Sequence, residues 1–115
     1  MRVVDRENRL SLFELQEMAA GMFGDLVKAV VDVNREIMIV DAELHADAEA
    51  MLLENGSDQA DLWGINLYPG LEVDGFVEYD SMINLRPSQG NPGRGVQDPA
   101  VRERIRTIVM DLVIR

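Results

Sequence analysis

The apolar residues of this chain change their spacing twice, and that change restricts the fold more than any other feature. Leu12, Leu15, Ala19 and Met22 recur at helical spacing. From about residue 26 to residue 85 the recurrence is mostly every second position. Val101, Ile105, Ile108, Val109 and Leu112 then return to the helical period. A stripe of period 3.6 buries one side of a helix and a stripe of period 2 buries one side of a strand, so neither can serve as the other. Strands in sequence order bounded by helices predict an α+β fold: an antiparallel sheet of four to five strands, two longer helices packed on one face, and one short helix. At 115 residues such a chain makes a single domain, able to bury roughly two-thirds of its unfolded surface.

The element ends carry their own signals. Ser11 and Glu14 have the spacing of a capping box, Leu10 and Leu15 that of a hydrophobic staple, and Gly24 is a natural stop. A short strand is expected over 2–4. Strands over 26–33 and 37–44 are joined by Asn34-Arg35 as a two-residue turn. Asp47 is placed to cap a short helix over 48–55 that Gly56 closes. A second pair of strands, 62–68 and 76–85, is separated by a surface loop over 69–75. Its last strand sets Val77, Tyr79, Ile83 and Leu85 on one face and Glu78, Asp80, Met82, Asn84 and Arg86 on a wetted one. Asp98 and Pro99 open the final helix, with Asp98 and Arg102 spaced as an ion pair.

Charge is distributed unevenly. Residues 36–85 carry twelve acidic side chains, one histidine and no lysine or arginine, whereas residues 86–115 carry six basic and three acidic side chains. The net charge is −10. This argues against nucleic-acid binding, which neutralises phosphates with Lys and Arg, and against an anionic membrane face. It leaves room for a basic protein partner, a homodimer through charge complementarity, or a bound cation. The absence of cysteine excludes disulfides, thiolate metal sites and cysteine nucleophiles. With no apolar signal core and no run near the roughly 20 residues of a membrane span, a cytoplasmic protein is expected.

Three groups could carry chemistry. The loop 86–95 holds Arg86, Ser88, Gln89, Gly90, Asn91 and Arg94; glycines can turn backbone N–H groups toward an anion, and two arginines can fork onto a phosphate or carboxylate. The plain alternative is a long connection stiffened by Pro87 and Pro92. Glu43, His45 and Asp47 alternate along an extended segment and would form a carboxylate–imidazole–carboxylate metal set, or orient His45 as a general base. Against this, Asp47 is also the expected helix cap. Last, Glu78, Asp80, Asn84 and Arg86, with Asn66, line the wetted face, as ligands to a hydrated divalent cation or simply as a solvated surface.

Residues 41–47, 61–69, 80–91 and 94–96 resemble a family of small bacterial and archaeal proteins known as a domain of unknown function, a likeness running from about residue 23 onward. It implies a stand-alone prokaryotic domain of this length and no activity, substrate or catalytic residue. The residues themselves point first to a small anionic ligand (phosphate ester, nucleotide or carboxylate) at the loop 86–95, with a divalent cation as a candidate bridge. In an enzyme, His45 would be the base and the arginines the charge stabilisers. The alternative is an acidic protein-interaction module or homodimer without catalysis.

Overall fold

Alternation in the middle of the chain builds one antiparallel sheet, because each strand there has two faces to satisfy. The structure, a computed structural model, describes residues 1–115. Strands β1 (Arg2–Val4), β3 (Val27–Asp32), β4 (Ile37–Ala42), β5 (Leu62–Leu67) and β6 (Val77–Glu78) lie in the order β1-β4-β3-β5-β6, every neighbour antiparallel. Helices α1 (Leu12–Gly21) and α4 (Pro99–Leu112) cover one face. Leu15, Ala19, Ile105, Val109 and Leu112 join Val27, Ala29, Val31, Met38, Val40 and Ile65 there in the larger core cluster. Helix α2 (His45–Glu54) sits on the other face, where Ala48 and Leu52 pack with Val30, Ile39, Ala42 and Leu62. The α+β expectation, the sheet size and the two helices on one face all hold.

The caps explain why the helices fall where they do. Ser11 accepts from the Glu14 N–H while Glu14 accepts from the Ser11 N–H, completing the capping box. Asp98 accepts from the Ala100 N–H, with Pro99 at the first helical position. Arg102 does not pair with Asp98; its guanidinium donates to the Val96 carbonyl instead. Beyond α4, Val113–Ile114 (β7) pairs in parallel with Leu10–Ser11 (β2), a contact that no local pattern announces.

Four expectations need correction. The turn after β3 is not a tight Asn34-Arg35 pair. The buried Asp32 carboxylate accepts from the Asn34 and Arg35 N–H groups, and Glu36 is the residue at positive φ (58°). Helix α2 begins at His45 with Leu44 as its uncapped N-cap, so Asp47 lies in the first turn and caps nothing. The stretch 69–75 is not all loop: Val73–Phe76 forms the short helix α3. The strand expected over 76–85 lasts only two residues before the chain turns at Asp80-Ser81. There the Ser81 hydroxyl accepts from the Ile83 N–H and starts a 3₁₀ turn, Met82–Asn84. Ile83 therefore packs beside α2 whereas Val77 and Tyr79 pack on the opposite side.

The physical reason for that turn lies in β5. A Cβ on Gly64 would stand 2.5 Å from both Cβ and Oγ of Ser81, closer than atoms can approach. Glycine at 64 thus lets the segment after β6 cross directly over the sheet. Asn84 then completes β5 with its side chain: Oδ1 accepts from the Gly64 N–H at 2.8 Å and Nδ2 donates to the Gly64 carbonyl at 2.9 Å. An amide side chain takes the place of a neighbouring strand.

Candidate functional site

The loop 86–95 spends most of its polar groups on bonds within the protein. Arg86 is 5% exposed. Its guanidinium donates to the carbonyls of Gln59, Ala60, Leu62 and Ile83 and lies 4.1 Å from the Trp63 ring centre. Burial pulls its pKa below the ordinary arginine value, with Glu49 opposing. Asn91 is buried, donating to the carbonyls of Asn84 and Gly95 and accepting from the Gln97 N–H. The Arg86, Gln89, Gly90 and Asn91 N–H groups all bond within the loop. Ser88, Gln89 and Gly90 are exposed on a 3₁₀ turn, Pro87–Gln89, and Gln89 bonds Gln59. Of the expected anion contacts, only Arg94 is a charged group directed outward, and its Nε donates to Asp80 at 2.7 Å.

Glu43, His45 and Asp47 come apart. Because α2 starts at His45, the strand alternation that would align them ends before it reaches them. Glu43 and Asp47 are exposed and border a shallow cleft with Asp41 and Glu54. His45 turns the other way, its Nε2 2.8 Å from the Ile65 carbonyl. No set of three or more His, Asp or Glu side chains stands close enough to hold a metal ion.

What the fold does assemble is a cluster drawn from all three groups. Cross-strand register places Lys28 of β3 opposite Asn66 of β5, and Asn66 opposite Glu78 of β6. Side chains so paired are immediate neighbours on one face. Asn66 Nδ2 donates to Glu78 Oε1 at 2.8 Å and to the Asp80 carbonyl at 3.3 Å, and Tyr68 adds a hydroxyl on the same Glu78 oxygen. Both of the amide's partners are pure acceptors, so the NH₂ group must face them. Its Oδ1 is then a buried acceptor with no donor, the single such side-chain atom in the molecule. Lys28 donates no hydrogen bond and makes no ion pair; its ammonium rests 5.3 Å from the Phe23 ring centre. His45, bonded to the carbonyl of Ile65 next to Asn66 on β5, and Arg94, paired with Asp80, complete the group.

His45 is the one histidine, and its chemistry is defined by its surroundings. A carbonyl only accepts, so Nε2 carries the hydrogen and Nδ1 keeps its lone pair. Burial is the largest influence and lowers its pKa; the Ile65 bond opposes it, Lys28 and Arg94 lower it further, and Asp80 raises it. The imidazole is therefore neutral at pH 7, held by a backbone carbonyl rather than the carboxylate expected from sequence. The unfolded chain takes up this proton near pH 6.5 and the folded protein only at lower pH. Stability is thus full above that range and lost as pH falls through it. Denaturant melts between pH 7.5 and 5 should show this loss in the native chain and not in His45→Gln; equal slopes would refute it.

Lys28 and Tyr68 belong to the cluster but carried no motif. The available signal was that Lys28 is the only lysine and stands mid-strand among valines and alanines. The clefts of the molecule are shallow, and no helix is long and apolar enough to cross a membrane. No curated protein and no solved structure matches the chain significantly. The family model described as "Protein of unknown function (DUF5674)" matches residues 4–112, nearly the full length, and the chain belongs to that family.

Proposed function

We propose that the protein binds a small anionic molecule at the cluster of Lys28, His45, Asn66, Asp80 and Arg94, to which the loop 86–95 contributes Arg94 alone. The observation that carries this reading is the donorless Oδ1 of Asn66, which is only 7% exposed as a residue. Leaving such an acceptor unsatisfied costs about 1–3 kcal/mol, which a ligand hydroxyl, a ligand amine or a bridging divalent cation would recover. Around it stand the positive groups. Lys28 has no ion-pair partner, Arg94 keeps two Nη groups beyond its bond to Asp80, and α2 starts without a side-chain cap. An uncapped helix N-terminus presents free N–H groups and favours negative charge. The ligand chemistry is therefore a carboxylate or phosphate that also carries a hydrogen-bond donor: a hydroxy acid, an amino acid or a phosphate ester. Arg86 and Asn91 serve this site by holding the loop that presents Arg94. The lone pair that Nδ1 of His45 keeps supports a general-base role for it in this reading, taking a proton from such a donor.

A thermal-unfolding screen against phosphate, hydroxy and amino acids, nucleotides and divalent cations, alone and in pairs, tests this reading. Ligand at about 100 times its Kd adds about 2.7 kcal/mol, a rise of roughly ten degrees for a domain of this size. The rise should vanish in Lys28→Met and in Arg94→Ala. A flat screen, or a rise that both variants keep, would refute the site.

A further inference from the structure

Away from this cluster, two adjoining clefts lie at the β1–β4 edge, with volumes of about 480 and 420 Å³, and share Met22 and Asp41. Their apolar surface is unusual in kind: Met1, Met18, Met22 and Met51 supply most of it, with Met1 53% and Met22 44% exposed. Methionine is unbranched and polarisable, and exposed methionines suit surfaces that adapt to an apolar partner. Glu14, Glu17, Asp41, Glu43, Asp47 and Glu54 surround them, and of the six only Glu14 is in an ion pair, with Arg2. No lysine, arginine or histidine lines either cleft. The β3–β4 register advances two residues on β3 for three on β4, and the extra residue leaves Asp41 at φ 62° with its side chain between the clefts. An apolar floor inside an acidic rim with five of its six carboxylates unpaired is complementary to one class of occupant.

We propose that this surface docks a basic amphipathic segment of another protein, its apolar side chains on the methionines and its Lys or Arg side chains on the carboxylates. Charge complementarity of this kind sets partner choice and association rate, while the apolar contacts hold the complex. The inference is independent of the small-molecule site.

The test is titration of the full chain with a labelled amphipathic leucine–lysine helix of about 18 residues, five turns, read by fluorescence anisotropy. A scrambled peptide of the same composition is the control. The decisive variant is Met22→Glu, which makes the protein more acidic while removing an apolar contact. Docking predicts that its Kd rises roughly tenfold, and that Asp41→Asn with Glu43→Gln also weakens binding. If Met22→Glu binds as tightly or more tightly, or the scrambled peptide binds equally, the attraction is diffuse charge and the proposal falls. Sedimentation of the protein alone gives the remaining outcome: a dimer abolished by Met22→Glu would make a second copy the occupant and overturn the proposal.

Discussion

Arg86→Met is expected to destabilise the protein by about 3–5 kcal/mol, a fall in Tm on the order of 15 °C for a domain of this size. The size follows from what the guanidinium holds. It bonds four carbonyls, three of them in the short segment 59–62 that leads into β5, and the fourth at Ile83 on the crossing segment. No carboxylate pairs with it, so carbonyl dipoles and the face of Trp63 compensate the buried charge. Methionine would replace the stem of the side chain and none of the five donors, leaving two segments without their common partner. Arg86→Lys should recover less than half of the loss, because an ammonium is a single point and cannot span carbonyls that lie in different directions. Urea denaturation of the two variants measures both quantities. A loss below about 1 kcal/mol in Arg86→Met would show that water replaces the guanidinium readily.

That role also bears on the chemistry of the loop 86–95. An arginine-rich loop full of glycine and amides reads as a ligand cradle because its residues are the ones that bind anions. Here Arg86, Asn84 and Asn91 are turned inward and hold backbone together. Only Arg94, at the far end, remains with an acid partner in solvent. The charge contrast between residues 36–85 and 86–115 is resolved partly by burial of Arg86 against carbonyls and partly by the pairs Arg94–Asp80, Arg104–Glu36 and Arg106–Asp74. Most of the acidic side chains find no cation, and five of them surround the methionine clefts.

Local signals were legible in the sequence and remote ones were not. Ser11, Glu14, Asp98 and Pro99 act within three residues of themselves, so both long helices start where the sequence says. Gly24 and Gly56, both at positive φ, mark the ends of α1 and α2 for the same reason. The strand over 76–85 was misread because alternation of Val77, Tyr79, Ile83 and Leu85 is a local pattern, whereas its interruption is not. It depends on Ser81 meeting Gly64 and on Asn84 bonding Gly64, partners 17 and 20 residues away. The parallel pairing of β2 with β7 joins residues about a hundred positions apart. The same distinction governs the site. His45, Asn66, Asp80 and Arg94 all stand out for their chemistry, but they are spread over three separate groups, only Asn66 and Asp80 sharing one. Their association rests on strand register and on His45 turning toward Ile65 rather than toward Glu43 and Asp47.

Asn84→Asp, a change of one atom, is expected to cost about 3–5 kcal/mol at neutral pH and markedly less in acid. Asn84 is fully buried. Its Oδ1 faces a donor, the Gly64 N–H, while its Nδ2 faces two acceptors, the carbonyls of Gly64 and Arg94, both at 2.9 Å. Aspartate keeps the first contact and sets its second oxygen against two carbonyl oxygens in a fully buried site. Burial and that repulsion both disfavour the charged form, so the folded-state pKa is raised above the ordinary carboxyl value of about 3.9. The sign then follows. Between the two pKa values the folded variant binds more protons than the unfolded chain, so its stability falls as pH rises and recovers as pH is lowered. The protonated acid can donate one hydrogen, satisfying one carbonyl of the two, so recovery is incomplete. Asn84→Ala loses all three bonds at every pH and supplies the reference. The gap between native protein and Asn84→Asp should narrow on acidification while the gap to Asn84→Ala stays constant. Expressing the result as gaps removes the contribution of His45, which is common to all three chains. A gap to Asn84→Asp that does not change with pH would mean that the carboxyl has turned away to solvent, and that Gly64 does not require a side-chain partner to complete the sheet.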